Sequence, residues 1–197
     1  MNKDGLLALL RKKGASDAVV NAFDKVKRED FVPAHLIGYA YEDISLPVRE
    51  GSTLSQPSTV AFMLGLLEVS EGQKILEIGS GSGYALALLA DMNKTGKIYG
   101  LEIIKELAIR SRNYLANSKN VEIVIRDGSG GLSEFAPYDR ILISASCPEV
   151  PRHLFSQLTE EGVMVAAVKQ SIFQIKKANG QIIEKEFPGF AFVPLRS

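Results

Sequence analysis

The sequence predicts an α/β fold: a doubly wound, mostly parallel sheet with helices at the N-terminal end and a β-hairpin towards the C-terminal end. Two observations carry this. From Gln73 onward, short apolar strand patterns alternate with helical ones, which implies right-handed crossovers and a parallel sheet covered on both faces. In addition, Glu77-Ile78-Gly79-Ser80-Gly81-Ser82-Gly83 joins an apolar strand to the helical run Tyr84-Ala85-Leu86-Ala87-Leu88-Leu89-Ala90. A buried strand, a glycine turn and a helix N-terminus form a unit that brings backbone close to a bound ligand.

The chain has 197 residues, enough for one domain with a substantial core, and 46% of them are hydrophobic, so disorder is not expected. Lys+Arg 23 balance Asp+Glu 23, which speaks against a dedicated nucleic-acid binder. The single Cys147 excludes an internal disulfide and suits a reducing compartment. No apolar run reaches membrane-spanning length, and Met1-Asn2-Lys3-Asp4-Gly5 does not resemble a signal peptide. These features predict a cytoplasmic protein with no membrane partner and no nucleic-acid partner.

Leu6, Leu7, Leu9 and Leu10 predict a first helix closed by Gly14. Ser16 caps a second helix with Val19, Val20, Phe23 and Val26 on one face. Residues 34–56 show no periodicity, and an irregular stretch of that length in a compact domain is usually functional. Pro57 suits the first turn of a helix over 57–69 that buries Val60, Met63, Leu64 and Leu67. Strands follow at 74–78, 97–102, 121–125, 140–144 and 163–168, with helices over 84–92 and 104–117 and a short one near 151–158. Ile172–Lys177 and Gln181–Phe187 flank Asn179-Gly180, a strong hairpin signal. Phe190-Ala191-Phe192-Val193-Pro194-Leu195 predicts a final strand. The segments divide as 1–56 (N-terminal helices and an irregular loop), 57–170 (core) and 171–197 (C-terminal strands), within one domain.

The glycine spacing is Gly-x-Gly-x-Gly, unlike the Gly-x-Gly-x-x-Gly of dinucleotide enzymes, and no Gly-Lys-Ser/Thr ending follows it. Glu77 puts negative charge where a pyrophosphate would sit, so a ligand with a cationic amino-acid end fits better. S-adenosyl-L-methionine has such an end and no phosphate. Glu102 closes the second strand of the core 23 residues after Gly79, where a carboxylate can hold both ribose hydroxyls; a merely solvated charge at that strand end is the weaker reading. Asp127, with Gly128 permitting the turn, suits either a contact with the adenine amino group or a plain Asp-Gly turn. The cofactor-binding set is therefore Glu77, Gly79, Ser80, Gly81, Gly83, Glu102, Asp127 and Gly128. His35 and His153 lie far apart without partner ligands, so no metal site is expected. Lys176-Lys177 and Arg11-Lys12-Lys13 read as solvated faces.

Several stretches together resemble the protein-L-isoaspartate (D-aspartate) O-methyltransferase family. They are Tyr41-Glu42-Asp43-Ile44-Ser45-Leu46-Pro47-Val48, Gly51-Ser52-Thr53-Leu54-Ser55-Gln56-Pro57, Leu76–Tyr84 around the glycine turn, and Asp127-Gly128. Ala136-Pro137-Tyr138-Asp139-Arg140-Ile141, Pro148-Glu149-Val150-Pro151 and Phe192-Val193-Pro194-Leu195 follow in the same order. The glycine motif is common to many methyltransferases; the Thr-Leu-Ser-Gln-Pro loop and the closing Phe-Val-Pro-Leu are more particular. The resemblance implies a Rossmann-like methyltransferase. It would move a methyl group from S-adenosyl-L-methionine to the free α-carboxylate of an L-isoaspartyl residue in damaged proteins, starting repair through a succinimide. A carboxylate is already an ionised nucleophile near neutral pH, so alignment in a dry pocket suffices and no strong base is needed.

Ser55 matches the serine that this family treats as its active-site residue; its hydroxyl would orient the attacking carboxylate, with Thr53 assisting. On residues alone, Ser55 reads instead as an N-cap before Gln56-Pro57. The chain departs from the family pattern at Ser52 (usually Gln), Arg126 (usually Gly), Ser144-Ala145-Ser146-Cys147 (commonly Thr-Ala-Ala) and Lys169 (where Pro-Val-Gly ends). These departures touch the substrate side. Two further readings keep the fold: a methyltransferase acting on another acceptor, and a non-catalytic paralogue that binds S-adenosyl-L-methionine. A monomer acting on isoaspartyl peptides and proteins is the expected form. Asn179-Gly180 is chemically prone to deamidation, which would make the chain a substrate of its own activity.

Overall fold

The computed structural model describes residues 1–48 and 51–196; within the stretch read as irregular, Arg49 and Glu50 lie outside the described residues. Helix α1 (Lys3–Lys12) starts where the Asn2 side chain accepts the Gly5 N–H at 2.9 Å, and Gly14 follows it with φ +87°. Ser16 caps α2 (Asp17–Lys25) through the Val19 N–H, as expected. A 3-10 turn at Arg28–Phe31 follows α2, and the irregular stretch contains a second at Ala34–Tyr39 and a two-stranded antiparallel ribbon, β1 (Leu46–Pro47) with β2 (Thr53–Leu54), pairing Leu46 with Leu54. Helix α3 (Pro57–Leu67) has its proline in the first turn and stops two residues short of the expected end, where Glu68 turns left-handed at φ 54°.

Strands β3 (Lys74–Ile78), β4 (Lys97–Glu102) and β5 (Val121–Ile125) have the expected bounds, as does α4 (Tyr84–Met92); α5 (Lys105–Tyr114) is shorter than 104–117. Strands β6 (Tyr138–Cys147) and β7 (Leu158–Val168) extend further than the apolar runs, because Tyr138 pairs with Leu158 and Cys147 with Val168 beyond a register shift at either end. Strands β8 (Ser171–Ala178) and β9 (Gln181–Pro188) form the hairpin. Its turn holds Asn179 at φ 52° and Gly180 at φ 72°, and the Gly180 N–H donates to Glu160 Oε2 at 3.3 Å. That nitrogen would have to attack the Asn179 side chain for deamidation, and it is turned towards Glu160 instead.

The sheet order is β5-β4-β3-β6-β7-β8-β9, parallel from β5 to β7 and antiparallel thereafter. The chain moves outward from β3 to β5, then returns to place β6 on the other side of β3. Neighbouring connections therefore diverge at β3 and β6, which opens a crevice at the strands' carboxyl ends.

Strands β3, β4, β6 and β7 bury alternate residues on opposite faces. Ile75, Ile98, Leu142 and Val163 join one core, to which each of the five α-helices contributes. Leu76, Tyr99, Ile141 and Met164 join a second core. There the expected helix near 151–158 is a 3-10 turn (Arg152–Gln157), and Leu132 and Leu154 help to close the face. The run 190–195 is not a strand. It touches the sheet at one parallel bridge, Ser146 to Pro194; Pro188 before the run and Pro194 within it lack ladder donors.

Candidate active site

A cavity of about 830 Å³ opens at the crevice. Its walls are the glycine turn, the ends of β4, β5 and β6, the loop 52–59 and the segment 189–196. A smaller space of about 60 Å³ lies beside it and adds Glu77; Thr53, Ser55, Gly79, Gly81 and Ser144 line both.

The turn needs its glycines for different reasons. Gly79, Gly81 and Gly83 all have positive φ (74°, 54° and 84°). A side chain on Gly81 would meet nothing within 4 Å, so its backbone faces open space that a ligand can fill; one on Gly83 would strike Ser111 of α5. Gly83 thus serves helix packing and is absent from the cavity wall. Ser80 is buried and reaches only the smaller space.

Glu102 sits at the end of β4 and is almost fully buried. Its Oε2 accepts the Gly81 N–H at 2.7 Å and its Oε1 accepts the Ile104 N–H at 2.8 Å. The carboxylate so fixes the shape of the glycine turn, and each oxygen keeps a second lone pair for a ligand hydroxyl. Glu77 is 1% exposed. The Ser144 hydroxyl donates to its Oε1 at 2.6 Å, while Oε2 has no partner among the described residues. Burial pushes the Glu77 carboxyl up to about 8; the Ser144 bond pulls it down and the charge of Glu102 adds to the rise. An unpartnered, buried carboxylate oxygen is a place for a cation, and a ligand ammonium is the group it lacks.

Ser55 is half-buried, and its hydroxyl has no hydrogen bond among the described residues. The capping role that the residues alone favoured is filled otherwise. Gln56 occupies the N-cap position of α3 but its side chain accepts no capping bond from the helix. Asp43 supplies the acceptor from across the loop, taking the Ser58 N–H at 2.8 Å and the Gln56 amide at 3.1 Å. Those bonds hold the Asp43 carboxyl below its usual range despite partial burial. Ser55 is thereby left free to face the cavity with Thr53.

Asp127 is exposed and absent from the cavity wall; Ser129 donates to both of its oxygens, from N–H at 2.8 Å and from Oγ at 3.0 Å. These contacts shape the Asp-Gly turn and, as at Glu102, leave each oxygen a second lone pair for a ligand donor. Gly128 does line the cavity, packed so closely that a Cβ there would lie 2.7 Å from Ile78. Among the described residues no group of three or more His, Cys, Asp or Glu could hold a metal ion.

Of the departures, Ser52 and Arg126 line the cavity, Arg126 in an ion pair with Glu134. Ser146 and Lys169 meet each other: the Ser146 hydroxyl donates to the Lys169 carbonyl at 3.3 Å, and Lys169 sits at φ 53°, the left-handed region that suits a glycine. Sequence reasoning missed Ser144 and Asp43. The one available signal was position: a polar residue at the carboxyl end of a central strand, and an acid within the unassigned loop.

A parallel sheet with its strand order reversed at β3 and β6, a glycine turn and two buried carboxylates on one crevice define a Rossmann-like methyltransferase. The family model for protein-L-isoaspartate(D-aspartate) O-methyltransferase matches residues 1–197, and the chain belongs to that family. A protein-L-isoaspartate O-methyltransferase of Methanococcoides burtonii is 43% identical over 197 residues, covering 96% of this chain and 97% of its own. One of Methanocella arvoryzae is 43% identical over 178 residues, covering 87% and 95%. Among solved structures, a protein-L-isoaspartate O-methyltransferase superposes with a TM-score of 0.90 at 29% identity; all of this chain matches, spanning 66% of that one. The Plasmodium falciparum structure, described as a putative member in complex with S-adenosyl-L-homocysteine, gives 0.86 at 27% identity, covering 100% and 99%.

Proposed function

We propose that Glu77, Glu102 and the 79–83 turn hold S-adenosyl-L-methionine while Ser55, assisted by Thr53, orients the free α-carboxylate of an L-isoaspartyl residue for methylation. The chain is a protein-L-isoaspartate O-methyltransferase that acts on isoaspartyl residues of damaged proteins and starts their repair. The observation that carries the assignment of roles is the convergence of the Ser55 loop with Glu77 on one small space adjoining the larger cavity.

The residues suit the cofactor. Glu77 Oε2 is an unfilled acceptor for its ammonium, Glu102 retains lone pairs for ribose hydroxyls, and the open side of Gly81 leaves room for its backbone approach. Bound there, the cofactor supplies a methyl group on a positively charged sulfur. The chain's part is alignment and exclusion of water. Ser55 donates a hydrogen bond to one carboxylate oxygen and leaves the other to attack, Thr53 lines the same wall, and residues 189–196 cover the cavity opposite. No group needs to remove a proton, since the nucleophile is already ionised.

We read the chain as one domain, organised as 1–56, 57–170 and 171–197, acting as a cytoplasmic monomer away from nucleic acid and membranes. The even balance of 23 basic and 23 acidic residues supports the absence of a nucleic-acid partner. No helix among the described residues is long and apolar enough to cross a membrane. The test is methyl transfer from labelled S-adenosyl-L-methionine to two synthetic peptides that differ only in an L-isoaspartyl or a normal aspartyl residue. Base-labile label on the isoaspartyl peptide alone is expected. Equal label on both, or none with cofactor bound, would refute the reading.

A further inference from the structure

Arg28 is fully buried yet has no acidic partner. It is 0% exposed, and no carboxylate lies within 4.0 Å of it among the described residues. Its Nη2 donates to the Ser55 carbonyl at 2.9 Å and, at 3.5 Å, to the Ile44 carbonyl; Nε and Nη1 have no partner. The guanidinium lies over the Tyr84 ring at 5.1 Å from its centroid, and Phe31 and Phe23 pack edge-on against that ring. A cation held in this way forgoes hydration with no carboxylate in contact, only the more distant charge of Asp43 favouring it, a costly arrangement for packing alone.

Its contacts are not scattered. Ile44 precedes the β1–β2 ribbon and Ser55 follows it, so one guanidinium closes the ribbon at its open end. Tyr84 is the first residue of α4, directly after Gly83. Arg28 therefore spans the loop that presents Ser55 and the turn assigned to the cofactor. Drawing the Ser55 carbonyl inward fixes the backbone from which the Ser55 hydroxyl projects into the cavity.

We propose that Arg28 is a positioning residue for methyl transfer: it clamps the Ser55 carbonyl against the Tyr84 end of the glycine turn and so sets the hydroxyl that orients the substrate carboxylate. This rests on the role given to Ser55 above. A planar fork can serve two carbonyls while stacked on a ring, whereas a lysine ammonium cannot reproduce that geometry.

The experiment compares wild type, Arg28→Lys, Ser55→Ala and the double variant. It measures S-adenosyl-L-methionine affinity, and kcat and KM for an isoaspartyl peptide below the thermal transition. Arg28→Lys should lower kcat/KM for the peptide tenfold or more while cofactor affinity stays within twofold. In the Ser55→Ala background it should cost nothing further, because a residue acting through Ser55 has nothing left to position. Arg28→Gln, which removes the buried charge, is carried alongside under the same non-additivity criterion. An impaired Ser55→Ala beside a fully active Arg28→Lys, losses that multiply in the double variant, or a parallel loss of cofactor affinity would each overturn the clamp. A fully active Ser55→Ala would overturn the role of Ser55 first and the clamp with it.

Discussion

Glu77 is the residue where sequence, burial and chemistry meet most directly. Its carboxyl, raised to about 8 chiefly by burial, holds a proton in the folded, ligand-free protein that an unfolded chain releases near the ordinary glutamate value. Across the window from about 4.5 to about 8 the folded state binds the extra proton, so this group's contribution to stability is full below the window and lost as pH rises through it. Thermal unfolding of the ligand-free protein at a series of pH values should show Glu77→Gln losing less stability than wild type between pH 5 and pH 8. The same variant should bind S-adenosyl-L-methionine more weakly by about 1–3 kcal/mol, because the ligand ammonium then lacks its charged acceptor; calorimetry at pH 8 measures this. The position of both acids is legible in the sequence, one standing just before the glycine turn and the other closing the adjacent strand. Ser144 was not legible: its service to Glu77 depends on β3 and β6 lying side by side, a neighbour relation across 67 residues that no local pattern encodes. Asp127 is legible only as a pair of alternatives, and the Ser129 contacts that shape its turn come from a residue two places on.

At the scale of elements, α3 shows how a cap can be supplied from a distance. Asp43 belongs to the loop before β1, yet it accepts from the first turn of α3, where a negative charge also meets the positive end of the helix dipole. Asp43→Ala should cost about 0.5–2 kcal/mol of stability, the usual range for a lost N-cap, and chemical denaturation measures it. Peptide turnover should fall along with it, because the Gln56 amide bonded to Asp43 stands next to Ser55. The strands and the two N-terminal helices could be read from periodicity because their apolar residues face packed cores. The run 190–195 could not: Phe190 and Phe192 give it the composition of a strand, but they stack on each other and, through Phe190, on Phe62. Aromatic contacts substitute there for sheet pairing. The loop 34–56 shows no period in the sequence because two-residue strands and 3-10 turns fall below the length at which one can register.

For the whole molecule, the reversal of strand order at β3 and β6 gathers the site from remote segments. A ligand that bridges them stabilises the fold as a unit. Cofactor at about 100 times its Kd should add ~2.7 kcal/mol to unfolding, seen as a rise in Tm, and the rise should shrink in Glu77→Gln at the same concentration. The doubly wound layout followed from the alternating pattern alone, whereas the modest cover on the second face did not, since turns and helices of similar length look alike in sequence.

The cavity wall runs from Lys13 to Arg196. The parallel sheet can zip from neighbouring crossovers, but the walls meet only when contacts of the longest sequence separation have closed, and such contacts carry the largest loop-closure cost. Catalytic competence is therefore expected to be the first property lost on mild unfolding: peptide methylation should fall at a lower denaturant concentration than the helical circular-dichroism signal, and coincident losses would refute this.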